Sequence, residues 1–423
     1  MGSHRGCTRI LGLDGYRVEH FDWEAEGSRA HLWIWLERRG IRGHECSGCR
    51  RRTWQVRDAK PRTWDDLPWA EHPVTLRYAL RRLWCRHCGI RTERVGFADP
   101  HARLTRRFRQ RIGLDCQSMP TSHAAVRHAV SWGTARRAER AFLDAWDRTR
   151  PKRRPRHLGV DEIQRGKGQH FWTVLSDLIR GEVIGLQQDR SEDSLRTLLE
   201  DRMDARQRAA VEAVCSDMHR PYRNVVAEVL PRAEVVFDKF HVCQHASDAL
   251  DDVRRQEFFR AGEVMRQHGR GKRWLLLRRW KTVRGSKRAE LQALFAANRR
   301  LFKAYVLREQ LDRLWTYKTR TGVLNFLNGW IDALRWQRLP EMDRLGEFLF
   351  KHIEGIAAYC DHPVRFGVVE SINTTIKAVL RRARGMRDEV MLLLKLKWAT
   401  ARPIRSARDV VQFLHPEAVH SLR

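Results

Sequence analysis

Two groups of residues in this chain have types and spacings suited to chemistry. The first is a pair of knuckles, Cys46-Ser47-Gly48-Cys49 and Cys85-Arg86-His87-Cys88. Their four thiolates satisfy one tetrahedral Zn²⁺, and each two-residue spacer closes a turn around the ion. Gly48 and Gly89 suit turns that need a positive φ. A pair of redox CxxC motifs is the competing reading. Cys7, Cys116, Cys215, Cys243 and Cys360 show no ligand spacing and read as structural. The zinc is expected to be structural, holding a small module that cannot build its own core.

The second group is acidic. Asp161 lies within the apolar run His157–Gln164, Asp217 closes the run Val211–Asp217, and Glu370 opens the helical stretch Glu370-Ser371-Ile372-Asn373-Thr374-Thr375-Ile376-Lys377. An Asp inside an apolar strand is costly unless it is paired or metal-bound. Convergent carboxylates can hold two Mg²⁺ (or Mn²⁺) ions about 3.5–4 Å apart, one activating an attacking water or 3′-hydroxyl, the other stabilising the leaving oxygen. The bland alternatives are a helix-capping Asp217 and a solvated helical Glu370. Glu162 competes with Asp161, but strand alternation points it to the opposite face. Glu370, Asn373, Thr374 and Lys377 fall on one helical face, which Arg381, Arg382 and Arg384 extend. In Phe237-Asp238-Lys239-Phe240-His241, Asp238 is a further metal-proximal acid, and His241 can position it or contact a phosphate; a structural histidine fits equally well.

The elements that must position these residues follow from periodicity. Residues 8–38 alternate as strands, with Leu32, Ile34 and Leu36 against Trp33 and Trp35. Between Ala102 and Arg150 the period becomes helical, predicting two helices broken at Ser131-Trp132-Gly133-Thr134, with Thr134 as the cap of the second. A helix-turn-helix segment would look like this; so would a plain helical hairpin. Residues 151–155 read as a proline-bounded linker. Strands are then expected at 157–164, 170–178 and 182–189, a helix capped by Ser191, a strand ending at Asp217, a helix from Pro221, and a strand at Glu234–Phe237. Three antiparallel strands followed by helix, strand, helix, strand is the order of an RNase H-like domain, which works with carboxylates on its first strand, its fourth strand and a late helix. Residues 253–358 show only helical periodicity, with tryptophans read mostly as core, and a last helix spans Phe366 to Arg384.

Charge supports a nucleic-acid partner. The chain has 423 residues, with 82 Lys+Arg against 51 Asp+Glu, a formal net charge of +31. Residues 101–157 are net +11 and residues 253–320 net +15, while residues 158–250 are net −4. An acidic island between two basic stretches suits a metal-dependent nuclease better than a protein that only binds. No apolar run approaches the roughly 18 residues of a membrane span, so no membrane association is expected. No secretory signal is recognised, and a cytoplasmic protein is expected.

Seven pieces in order give the chain a resemblance to bacterial insertion-sequence transposases of the ISL-three family, DDE type, from roughly residue 8 to residue 400. They are the CxxC pair, Leu67-Pro68-Trp69, Arg103-Leu-Thr-Arg-Arg-Phe108, Gly159-Val-Asp161-Glu162, Ser216-Asp217-Met218, Val236-Phe-Asp-Lys-Phe-His241 and Glu370…Asn373…Lys377. The resemblance implies a multidomain α/β protein: a β-rich lead (1–40), a zinc module (41–98), a helix-turn-helix segment (99–150), and an RNase H-like domain in two parts (157–252 and 358–423) around an all-α insertion (253–357). It implies catalytic Asp161, Asp217 and Glu370, two Mg²⁺ ions, one structural Zn²⁺ on Cys46, Cys49, Cys85 and Cys88, and DNA contacts or accessory roles for Arg136, Arg137, Asp238, His241, Asn373, Lys377 and Arg381. The implied partners are double-stranded DNA, both inverted-repeat ends and target, and a second copy in a synaptic homodimer. The alternatives are an inactive or domesticated DNA-binding relative and a zinc-containing nuclease without strand transfer.

Overall fold

The structure, a computed structural model, describes residues 5–26, 29–40, 43–164, 170–218, 220–260, 271–363, 366–383 and 385–414. Arg384, expected at the end of the last helix, lies outside these. The chain forms two compact units, Met1–Arg150 with Val379–Arg423, and Pro151–Ala378.

In the first unit, α1 (Arg5–Leu11) precedes a sheet of β1 (Tyr16–Glu26), β2 (Arg29–Arg38), β5 (Val56–Trp69) and β6 (His72–Cys85), in the order β1-β2-β6-β5, with β7 (Gly89–Thr92) pairing the end of β6. A small ladder of β3 (His44–Glu45) and β4 (Arg52–Thr53) stands beside it. Alternation decides the faces. Leu32, Ile34 and Leu36 point inward with Trp64, Leu76 and Phe97, so Trp33 and Trp35 face out.

Three helices follow rather than two: α2 (Arg106–Asp115), α3 (Thr121–Arg127) and α4 (Trp132–Thr149). Pro120 has no N–H to continue α2 and sits instead at the start of α3. Ser131, not Thr134, caps α4, its hydroxyl accepting from the Thr134 N–H at 3.2 Å. α2 and α4 approach so closely that a methyl at Gly113 would lie 2.4 Å from Phe142 Cβ, which requires glycine. The helices Glu389–Ala401 and Ala407–Leu414 follow in this unit, with Met391, Leu394 and Trp398 of the first packed against Leu114, Phe142, Leu143 and Trp146.

In the second unit, β8 (His157–Gln164), β9 (Phe171–Asp177), β10 (Glu182–Gln188), β11 (Ala213–Ser216) and β12 (Glu234–Phe237) form a mixed sheet in the order β10-β9-β8-β11-β12. The pairs β10–β9 and β9–β8 are antiparallel; β8–β11 and β11–β12 are parallel. α5 (Glu192–Arg202), capped by Ser191, and α7 (Arg220–Val229) cover the face of Leu158, Val160 and Val214, while α6 (Ala205–Ala209) links α5 to β11. From α8 (Lys239–Arg260) to Cys360 the described residues are helical or connecting, around a core that includes Leu250, Leu327 and Trp330. Of the tryptophans here, Trp280 and Trp315 pack against that core, whereas Trp274 and Trp336 are exposed. The helix Phe366–Ala383 returns with Val368 and Val369 on the other sheet face. Among the described residues no helix is long and apolar enough to cross a membrane.

Candidate active site

Parallel pairing sets the level of the acids. Gly159 pairs with Cys215, and Ser216 with Phe237. Counting forward along each strand, Asp161 in the middle of β8 comes level with Asp217 and Asp238, each of which directly follows the end of its strand. Asp161 shares a face with Gly159, where a methyl would meet Leu178 Cδ2 at 2.6 Å. Leu178 belongs to the apolar layer of Cys215, Val236, Ala358, Val368 and Val369, so this face lies against the helix that carries Glu370. Glu162 points the other way, accepting from the Tyr222 hydroxyl at 3.1 Å with Arg190 3.7 Å away, as alternation requires.

Asp161 is held twice. One oxygen accepts from the Glu162 N–H at 2.7 Å, and the other from the Asn373 side-chain amide, one helical turn beyond Glu370. Asp238 is buried and caps α8, its Oδ1 accepting from the Phe240 N–H at 2.7 Å. Burial raises its pKa above the ordinary carboxylate value, opposed by the Phe240 N–H and His241; Asp161 and Asp217 push it up further. A buried acid raised by two like charges marks a place where a cation is favoured. Glu370 is exposed, as are Thr374, Lys377 and Arg381 on the same helix. Among the described residues, the carboxylates of Asp161, Asp217 and Glu370 do not gather within 4.8 Å of one another. The fold therefore groups Asp161, Asp217, Asp238 and Asn373, and leaves the Glu370 carboxylate at the solvent edge.

The cysteines do gather. The sulfurs of Cys46, Cys49, Cys85 and Cys88 lie within 4.8 Å of one another. The first knuckle joins β3 to β4 and the second joins β6 to β7. Gly89 has φ +66°, as its turn demands, whereas Gly48 is needed for space, since a methyl there would lie 3.0 Å from Cys88 Sγ. Backbone N–H groups of His87 and Cys88 pull the Cys85 thiol down to about 7, favouring the thiolate that a metal takes.

On α4, Arg137 is exposed and donates to Thr134 Oγ1 at 3.2 Å. Arg136 is half-buried between Asp388 at 3.1 Å and Glu139 at 3.7 Å, so its charge is largely answered within the unit. Sequence reasoning missed the cluster below it, in which buried Lys395 meets buried Glu139. The available signal was an isolated Lys within the apolar run Met391–Leu396.

The sequence model of a transposase family matches residues 158–396, more than half of the chain. The chain belongs to the ISL3 family of transposases. Two further ISL3 models match around it: a zinc finger of the transposases of IS204, IS1001, IS1096 and IS1165 over residues 42–88, and a helix-turn-helix domain over residues 93–142. The chain is 32% identical over 392 residues to the transposase for insertion sequence element IS1001 of Bordetella parapertussis, covering 92% of this chain and 96% of that one. It is 26% identical over 438 residues to the transposase for IS1557 of Mycobacterium tuberculosis, covering 96% and 98%. The four-cysteine cluster is thus the structural zinc site of a transposase zinc ribbon, and α2–α4 form its helix-turn-helix.

Proposed function

We propose that this ISL3 transposase is a DDE-type enzyme that binds terminal inverted repeats and carries out metal-dependent DNA strand cleavage and strand transfer. Its catalytic domain is read as RNase H-like, with the helical stretch after β12 as an insertion. The observation that carries this reading is the levelling of Asp161 and Asp217 on adjacent parallel strands beneath the helix of Glu370, which sends Asn373 to Asp161. Asp161, Asp217 and Glu370 would hold Mg²⁺ or Mn²⁺, which supplies charge stabilisation to the attacking and leaving oxygens when bound. The hard carboxylate donor set fits that group, and so does the raised pKa of Asp238 beside it.

The chain's own residues have separable tasks. Asn373 fixes the Asp161 carboxylate, while Asp238 caps α8 beside His241. Lys377 and Arg381 extend from Glu370 as exposed cations suited to backbone phosphates. α4 presents Arg137 to duplex DNA. A synaptic homodimer acting at the nucleoid completes the reading.

The test is Asp217→Asn, assayed for end cleavage with Mg²⁺ and for duplex binding on the same protein. Cleavage should fall by orders of magnitude, because a lost metal ligand forfeits several kcal/mol of transition-state stabilisation. Duplex affinity should hold or rise. Equal cleavage by wild type and variant would refute the assignment. A wild type that binds ends and never cleaves them would favour the DNA-binding relative.

A further inference from the structure

The outward face of the N-terminal sheet carries a cationic cleft, formed where the matched zinc-finger segment meets the start of the matched helix-turn-helix segment. β1 and β2 precede every matched region of the chain. Opposite the apolar face, the register aligns Trp33 with Thr75 and Asp65, and Trp35 with Arg77 and Thr63. The row is ordered by ring contacts. His20 stacks on Trp35 with centroids 4.1 Å apart, His31 on Trp33 at 4.9 Å, and the Arg77 guanidinium lies 5.8 Å from the Trp35 ring.

At the β5 edge of this face is a cleft of about 550 Å³ whose lining includes Arg62, Arg77, His101 and Arg103, with Asp65 as its one acid. Arg62 is anchored by the Ala102 carbonyl at 2.9 Å and lies over Trp64. Arg77, His101 and Arg103 are exposed. Among the described residues none of these three arginines is ion-paired, and the Asp65 carboxylate accepts from Thr75 Oγ1 at 3.1 Å. Other arginines of the sheet differ: Arg17, Arg82 and Arg94 are paired with Glu37, Asp58 and Glu45. The cleft is also tied to the helix-turn-helix. The Asp65 N–H donates to the Arg103 carbonyl, and the N–H of Thr105, the cap of α2, to the Asp65 carbonyl, both at 2.9 Å.

We propose that this cleft grips the sugar-phosphate backbone of duplex DNA, as a contact separate from the helices α2–α4. Three guanidinium groups without an ion-pair partner among the described residues, facing one carboxylate, match phosphate oxygens in charge and in forked geometry. The proposal rests on the reading that this unit binds DNA. A backbone contact carries no sequence information, so its contribution is equal on any duplex of the same length.

The experiment measures binding of the full-length protein, without Mg²⁺, to a labelled transposon-end duplex and to a scrambled duplex of equal length across a salt series. Arg77→Ala with Arg103→Ala should weaken both duplexes by the same factor. At about 0.9 per phosphate contact, the slope of log affinity on log salt should become shallower by roughly 2. Arg77→Lys with Arg103→Lys should keep the slope, since the charges remain. Thr63→Glu, which removes no arginine, should weaken both duplexes, providing a second route if the alanine pair loses zinc or thermal stability. Unchanged affinity and slope in the alanine pair and in Thr63→Glu would overturn the cleft; if Arg137→Ala still lost end binding, the DNA-binding reading would survive. Wild-type protein binding neither duplex would sink both.

Discussion

The Lys395–Glu139 pair offers the sharpest test of how the DNA-binding unit is held. Its side chains are 4% and 0% exposed. The second Glu139 oxygen accepts from Thr121 Oγ1 at 2.7 Å, and Lys395 Nζ donates to the Cys116 carbonyl at 3.4 Å. One ion pair therefore joins the end of α2, the first residue of α3, the middle of α4 and the helix Glu389–Ala401. Lys395→Met keeps the apolar stem and leaves Glu139 charged in the interior, answered only by Arg136 at 3.7 Å among the described residues, a change that costs up to about 3–5 kcal/mol. At about 2–4 °C per kcal/mol for a unit of 150–250 residues, its melting transition should drop by up to roughly 6–20 °C. Glu139→Gln should cost a similar amount, because it strands the ammonium instead. The double variant removes both charges and should recover much of the loss, giving a coupling energy of about 2–3 kcal/mol. Calorimetry of the full chain reads this directly, with the transition of the other unit as internal reference. Single losses below about 1 kcal/mol that simply add in the double variant would refute the reasoning.

Three further outcomes follow from the site. Freshly purified protein should carry one tightly held zinc, lost in Cys85→Ser and released on acidification as the thiolates protonate; elemental analysis giving none would refute the ribbon's ligand set. Asp238 has a raised folded-state pKa, so its contribution to stability is fully present below the ordinary carboxylate value and is lost as pH rises through the folded one. Asp238→Asn, which can still cap α8, should therefore raise the metal-free melting temperature at neutral pH but not near pH 3, and a gain of equal size at both would count against the repulsion. Asn373→Leu removes the donor to Asp161 without touching charge; more Mg²⁺ should then be needed for half-maximal cleavage, and an unchanged metal requirement would exclude a positioning role.

Much of the catalytic unit was legible because its order is written in local pattern. His157–Gln164 and Glu234–Phe237 are strands with the expected bounds, and Ser191 caps its helix through its own hydroxyl. Gly48 was read as a positive-φ residue, yet it serves Cys88 by leaving space, a contact between segments that no local rule contains. The helix-turn-helix was miscounted for a similar reason. Leu104, Phe108 and Ile112 run into one period, and the stop at Pro120 carried too little weight beside it. Arg136 was singled out as a DNA contact or accessory residue, and Asp388, 252 residues away, returns to answer its charge. Long-range pairs of this kind depend on which helix packs where, and Lys395 shows it best: its helix lies within the matched transposase segment but packs in the DNA-binding unit.

The acids divide along the same physical line. Asp161 belongs to a paired strand, where register leaves little freedom, and has a hydrogen bond on each oxygen, while Asp217 directly follows the paired strand β11. Glu370 sits exposed on a helix whose buried side, Ile372, Ile376 and Val379, fixes the backbone but leaves the carboxylate its rotamers. In the proposed site, one acid with rotamer freedom relieves the repulsion that three fixed carboxylates would suffer, since repulsion grows steeply as carboxylates close in a low-dielectric setting. Asp238 has its pKa raised first by burial, with Asp161 and Asp217 adding a smaller repulsion, and Glu370 is turned to solvent. The Asn373 amide, which donates to Asp161, holds the strand side of the proposed site in shape, while the helix leaves Glu370 free to turn.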